Sequence, residues 1–168
     1  MRKTTLRLLG AVSISALLFG GGAANAANTI VLTGTVPIVC SLSANTAAAA
    51  TGIALQTTTA GLAVGSVDET CNDVAGYTVG MTSANGITSG MFKTGPGDAT
   101  HQLVYNVTYN GVAVTPIAGF VTVTDVSAPV AGSGTVNKAV AIGFTGASSS
   151  LVPATDYTDT LTFAMAAK

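Results

Sequence analysis

His101-Gln-Leu-Val-Tyr-Asn-Val-Thr-Tyr109, then Asn110-Gly111, then Val112-Ala-Val-Thr115, is a complete β-hairpin written in sequence. Leu103, Tyr105, Val107 and Tyr109 recur at a period of two, so an extended chain presents all four on one face. Asn-Gly is the strongest short hairpin signal, because both central residues of a type I′ turn need positive φ. The segment therefore predicts two antiparallel strands, and it sets the pattern sought in the rest of the chain.

Outward from this hairpin the same signals repeat. Gly76 to Ser83 alternates Tyr77, Val79 and Met81 with Thr78, Gly80 and Thr82 and ends on an Asn85-Gly86 turn. Val136 to Thr145 carries Val140, Ile142 and Phe144 at period two, and Phe120 to Thr124 is a further candidate strand. The last candidate, Asp156 to Met165, sets Tyr157, Asp159, Leu161, Phe163 and Met165 against Thr158, Thr160 and Thr162. Upstream, strands are expected at Ile38 to Ser43 and Ile53 to Gln56. Leu62 to Cys71 is read as carrying Val64 and Val67 before a polar turn at Asp68-Glu69. Asn45 to Gly52, Ile87 to Thr100, Ser127 to Thr135 and Ala147 to Pro153 read as loops. Beyond the first 26 residues no helical period is sustained and no fixed repeat occurs. Short strands joined by Gly, Asn and Pro turns predict an all-β, antiparallel β-sandwich.

The N-terminal end has a different character. Residues 1–26 combine Arg2, Lys3 and Arg7, an apolar run from Leu8 to Phe19 and the small-residue exit Ala24-Asn25-Ala26. That is the pattern of a removable secretory signal, and the apolar run is too short to span a bilayer. Removal would leave 142 of the 168 residues, one domain with a real core. It would also leave three lysines, no arginine and seven acids, a formal balance of 3 − 7 = −4. With no basic patch and no interleaved aromatics, nucleic-acid binding is not expected. Immediately after this leader, Thr29-Ile-Val-Leu-Thr-Gly-Thr-Val36 reads as another strand, with Ile30, Leu32, Gly34 and Val36 on one side, stopped by Pro37. Periodicity alone leaves open whether that apolar face packs at home or in another molecule.

Two cysteines, Cys40 and Cys71, in an exported chain predict one disulfide. Closing a loop of that length stabilises by about 3 to 4 kcal/mol in the chain-entropy model. A redox or metal role would need closer spacing or nearby histidines. The lone His101 has no nucleophile at motif spacing, and neither Gly-x-Ser-x-Gly, His-Glu-x-x-His nor a phosphate loop occurs. Asp68, Glu69 and Asp73 do not have the spacing of a calcium loop. Asp156 and Asp159 read as a turn cap and an edge charge. No catalytic residue, metal site or cofactor is expected.

A signal peptide, Ile30-x-Leu32-x-Gly34-x-Val36, a cysteine six residues after the glycine, a second about thirty further on, and the closing Tyr157-Thr-Asp-Thr-Leu-Thr-Phe163 together resemble a chaperone-usher pilus subunit. The closing segment is most similar to the spore coat protein U branch. The resemblance covers both ends and the cysteine frame and leaves the middle unmatched. It implies an incomplete immunoglobulin-like sandwich, the pilin fold, with residues 27–37 as a donor-strand extension and residues 38–168 as a single pilin domain. It further implies a structural role in a cell-surface fimbria, serving adhesion or biofilm formation and built by donor-strand exchange. The implied partners are like subunits, a periplasmic chaperone and an outer-membrane usher. On this reading Ile30, Leu32, Gly34 and Val36 belong to the donor strand, and Tyr157, Leu161, Phe163 and Met165 to the acceptor groove edge. The chain ends Ala166-Ala167-Lys168, without the near-terminal aromatic many such subunits offer their chaperone. The alternative is a self-contained exported sandwich that binds a ligand or carbohydrate. The lack of Trp and the presence of only four Tyr count against a sugar-binding face.

Overall fold

A computed structural model describes residues 29–94, 98–128, 134–146, 151–152 and 157–168. The expected leader at residues 1–26, Pro153 and Asp156 lie outside them. The chain divides into a unit of residues 1–35 and a unit of residues 36–168, and every strand belongs to the second.

Among the described residues the regular structure is nine strands and one 3-10 turn, Ala48–Ala50: β1 (Cys40–Thr46), β2 (Thr59–Cys71), β3 (Tyr77–Ser83), β4 (Gly90–Lys93), β5 (Gln102–Tyr109), β6 (Val112–Val114), β7 (Val121–Val126), β8 (Val136–Phe144) and β9 (Leu161–Ala167). They form two antiparallel sheets. The larger runs β1-β2-β8-β5-β4 with β6 also on β5, and the smaller runs β7-β3-β9. The protein is thus all-β, with an arrangement compatible with an immunoglobulin-like sandwich. No helix among the described residues is long and apolar enough to cross a membrane.

The opening hairpin forms as its sequence dictates. Tyr109 pairs with Val112 and Val107 with Val114 across a two-residue turn, with φ +49° at Asn110 and +82° at Gly111. Leu103, Tyr105, Val107 and Tyr109 are all buried, and Val140, Ile142 and Phe144 of β8 lie beside them. Met81 of the small sheet joins this cluster, and Phe163 packs against it with its ring centroid 5.8 Å from that of Tyr109. The core is the layer between the sheets, filled by the alternate residues of each strand.

Several boundaries differ from the sequence reading. The Asp68-Glu69 turn does not exist: β2 is a continuous 13-residue strand through both acids. Polar residues argue for a turn only while nothing nearby satisfies them, and here remote side chains do. The expected loop at Ile87 to Thr100 contains β4, which is short and draws its register from β5. Ile53 to Gln56 forms no strand; Ile53 and Leu55 instead pack half-buried against the core. β1 begins two residues later than Ile38 and takes Asn45 and Thr46 from the expected loop, because their backbone pairs with Ser66 and Gly65. β9 begins at Leu161 rather than Asp156, while Thr158 makes an isolated bridge to Lys93. Thr29 to Val36 carries no strand assignment, since a strand requires a ladder partner and none pairs with it among the described residues.

Candidate strand-accepting cleft

β9 is one edge of the small sheet and β1 one edge of the large one. β9 donates and accepts along its β3 side over its whole length, Ser83 opposite Leu161 and Tyr77 opposite Ala167. Its other side pairs with no strand among the described residues. Leu161, Phe163 and Met165 point inward, yet each is only half-buried, whereas the matching inward residues of β3, Val79 and Met81, have no exposed surface. The difference follows from position: β3 has a strand on each side, whereas β9 has one on a single side among the described residues.

Between these edges lies a cleft of about 280 Å³. That is roughly twice the ~150 Å³ of a cavity able to take up benzene. Ala44, Asn45 and Thr46 of β1 form one wall, Leu161 and Phe163 of β9 the other, and the core residues Val64, Phe92, Tyr105, Val140 and Ile142 line it from beneath. The interior of the sandwich therefore reaches this opening. Of the four groove-edge residues expected from sequence, Leu161 and Phe163 line the cleft. Met165 packs further along, against Cys71, Tyr77 and Val79. Tyr157 lies against the main core and donates its hydroxyl to the Val152 carbonyl at 3.2 Å.

One end of the cleft is built by Asp159. Its carboxylate accepts from the Tyr105 hydroxyl at 2.5 Å, the Ser83 hydroxyl at 2.6 Å, and the backbone N–H groups of Thr160, Asn85 and Met91 at 2.7, 3.0 and 3.4 Å. These donors come from both sheets, so Asp159 ties the start of β9 to the ends of β3 and β4. It corrects the reading of this residue as an edge charge. Gly90 makes room for the arrangement: a Cβ there would meet the Tyr105 ring at 2.4 Å. Burial, then the Asp159 carboxylate, raise the Tyr105 pKa far above its ordinary value, so the hydroxyl stays a donor.

At the opposite end of the sandwich Glu69 does the same work deeper inside. Its side chain has no exposed surface. It accepts from the Tyr109 hydroxyl at 2.6 Å, the Thr124 hydroxyl at 2.7 Å and the Tyr77 hydroxyl at 3.1 Å, which links β5 of the large sheet to β7 and β3 of the small one. Sequence reasoning missed both carboxylates as structural centres, although parity pointed to them: Glu69 stands between Val67 and Cys71, and Asp159 between Tyr157 and Leu161, all on inward positions.

Cys40 and Cys71 are directly opposite on β1 and β2 and form the disulfide. Asn72, next in line, grips the chain that leads into β1. Its side-chain oxygen accepts from the Val39 N–H at 2.6 Å, its amide donates to the Pro37 carbonyl at 2.9 Å, and its own N–H donates to the Val39 carbonyl at 3.1 Å. Of the expected donor residues, Ile30, Leu32 and Val36 are 88, 89 and 84 % exposed.

His101 stands just before β5 with Nδ1 3.1 Å from the Asp98 carboxylate. That carboxylate also caps the loop, accepting from the Thr94 hydroxyl, which leads the bonds that hold its pKa well below the usual carboxylate range. Among the described residues no group of three or more His, Cys, Asp or Glu converges as a metal site would require. Compared with models of known protein families and with curated proteins, the chain matches none.

Proposed function

We propose that this chain is a structural subunit of a surface fibre, exported and assembled by strand donation, in which residues 29–36 of one copy fill the cleft of the next. A periplasmic chaperone lending a strand beforehand and an outer-membrane usher directing the exchange are the partners this reading implies. The observation that carries it is the opening between β1 and β9, where an unpaired strand edge and core side chains are accessible together.

The dimensions support the reading. Thr29 to Val36 offers four same-face positions, Ile30, Leu32, Gly34 and Val36, and β9 likewise has four on its inward side, Leu161, Phe163, Met165 and Ala167. A strand of eight residues extends about 26 Å, enough to run along all of β9. Burying the three aliphatic side chains stabilises the pair by roughly 5 to 8 kcal/mol before ordering costs. The backbone ladder on the free side of β9 adds to it.

The test compares the chain starting at Ala27 with one starting at Pro37, in oligomeric state and melting temperature. A peptide of residues 28–37 is then added to the shorter form. The reading expects multimers of the longer chain, a shorter chain of low stability, and a large rise in its melting temperature with peptide. A peptide carrying Leu32→Asp should raise it far less. A shorter chain that is stable and monomeric without peptide would refute strand donation and favour a self-contained sandwich.

A further inference from the structure

Apolar side chains stand exposed at both ends of the sandwich. At the disulfide end, where β2 turns into β3, Ile38, Val39 and Val74 are 64, 55 and 86 % exposed. At the Asp159 end, where β3 finishes and β9 starts, Ile87 and Phe120 are 70 and 59 % exposed. Single exposed apolar residues are ordinary. These are distinguished by what holds them. Val74 sits at the tip of a turn fixed by buried Asp73, which accepts from the Ala75 N–H at 2.9 Å through its side chain and from the Gly76 N–H at 3.0 Å through its carbonyl. Asn72, in the same turn, pins Pro37 and Val39. Ile87 follows Asn85, which is bonded to Asp159 and Thr158, and Phe120 lies across Gly80 of β3.

Direction then decides which surfaces meet. Every strand pair among the described residues is antiparallel. β9 runs from the Asp159 end to the disulfide end, because Leu161 pairs with Ser83 and Ala167 with Tyr77. A strand added antiparallel to its free side runs the other way. Its Val36 and Pro37 therefore emerge at the Asp159 end, and the donor's own body begins there, at its disulfide end, where Asn72 grips Pro37. Resting on the strand donation proposed above, we infer that the disulfide end of one copy seats against the Asp159 end of the next, with Ile38, Val39 and Val74 meeting Ile87 and Phe120. The partner is a second copy of this chain, and the contact is apolar and head-to-tail, so it repeats without closing. It makes each junction a two-point attachment, one strand and one end face.

The test uses the chain starting at Ala27, carrying Val74→Cys together with Ile87→Cys, treated with a short bismaleimide and then boiled in detergent. A covalent ladder in the double variant, absent from each single variant, is the expected result. A second pair, Ile38→Cys with Phe120→Cys, is run alongside, and melting temperatures equal to that of the parent confirm that the variants fold. Covalent dimers from Val74→Cys alone would mean that like ends meet, and would overturn the inference. Multimers in unboiled samples without any covalent ladder from either pair would overturn the end contact while leaving strand donation standing. Absence of multimers from the unboiled parent would sink strand donation itself, and the end contact with it.

Discussion

Glu69 is an acid in the middle of an apolar core, and what holds it there is hydroxyls rather than a cation. Three of them converge on one carboxylate, so truncating it leaves Tyr77, Tyr109 and Thr124 without an acceptor. Unsatisfied buried donors are expensive, and Glu69→Ala should lower stability by about 3 kcal/mol, with Thr124→Ala costing about 1, measured by denaturant unfolding. The same cluster predicts a response to alkali. Burial first, and the Glu69 carboxylate second, raise the pKa of Tyr77 and Tyr109, and burial with Asp159 raises that of Tyr105. In the unfolded chain tyrosines ionise near 10.0. The folded state thus holds protons that the unfolded state releases, so stability is fully present below pH 10 and declines as pH rises above it. Melting temperature measured against pH should be flat up to that point and fall beyond it, and the fall should be shallower in Tyr109→Phe.

The β5-β6 hairpin is the element whose local sequence and final structure agree most closely. Gly111 sits at φ +82° in open space, so nothing but its own backbone restricts it. Gly111→Val should cost about 1 to 2 kcal/mol, read from thermal or denaturant unfolding, because a β-branched residue is strained at positive φ. Gly111→Asn should cost much less. β9 is the contrasting element. Its alternation is as clear as that of β5, but its inward residues stay half-exposed because no further strand pairs with it among the described residues. Alternation reports which side of a strand faces the core and is silent on whether a further strand follows.

At the scale of the molecule, charge contributes little. The chain after residue 26 has three lysines and seven acids, and the cleft walls are mostly apolar, with Asp159 already engaged by five donors. Association through the cleft should therefore depend only weakly on ionic strength. Multimer growth followed by light scattering in low and high salt is expected to show similar rates, whereas a charge-steered contact would slow sharply as salt is added. Replacing Ile30 or Leu32 by Asp should instead abolish growth in both, while leaving the melting temperature of the monomer unchanged.

Much of this was legible in the residues. Period-two alternation located the main strands, Asn110-Gly111 named its turn, and the two cysteines could pair with each other in only one way. These are local rules, satisfied by neighbours in sequence or by simple counting. The polar centres were not legible in that way: Glu69 was read as part of a turn and Asp159 as an edge charge. Each is buried or half-buried only because hydroxyls and N–H groups from strands far away in sequence close around it. The cleft belongs to the same class. Whether the edges of β9 and β1 close over the core or leave a cleft is a property of how two sheets pack, and no stretch of sequence records it. Alternation determined which side chains turn inward, and only the tertiary structure decided which of them are covered, because covering a residue takes partners from elsewhere in the chain.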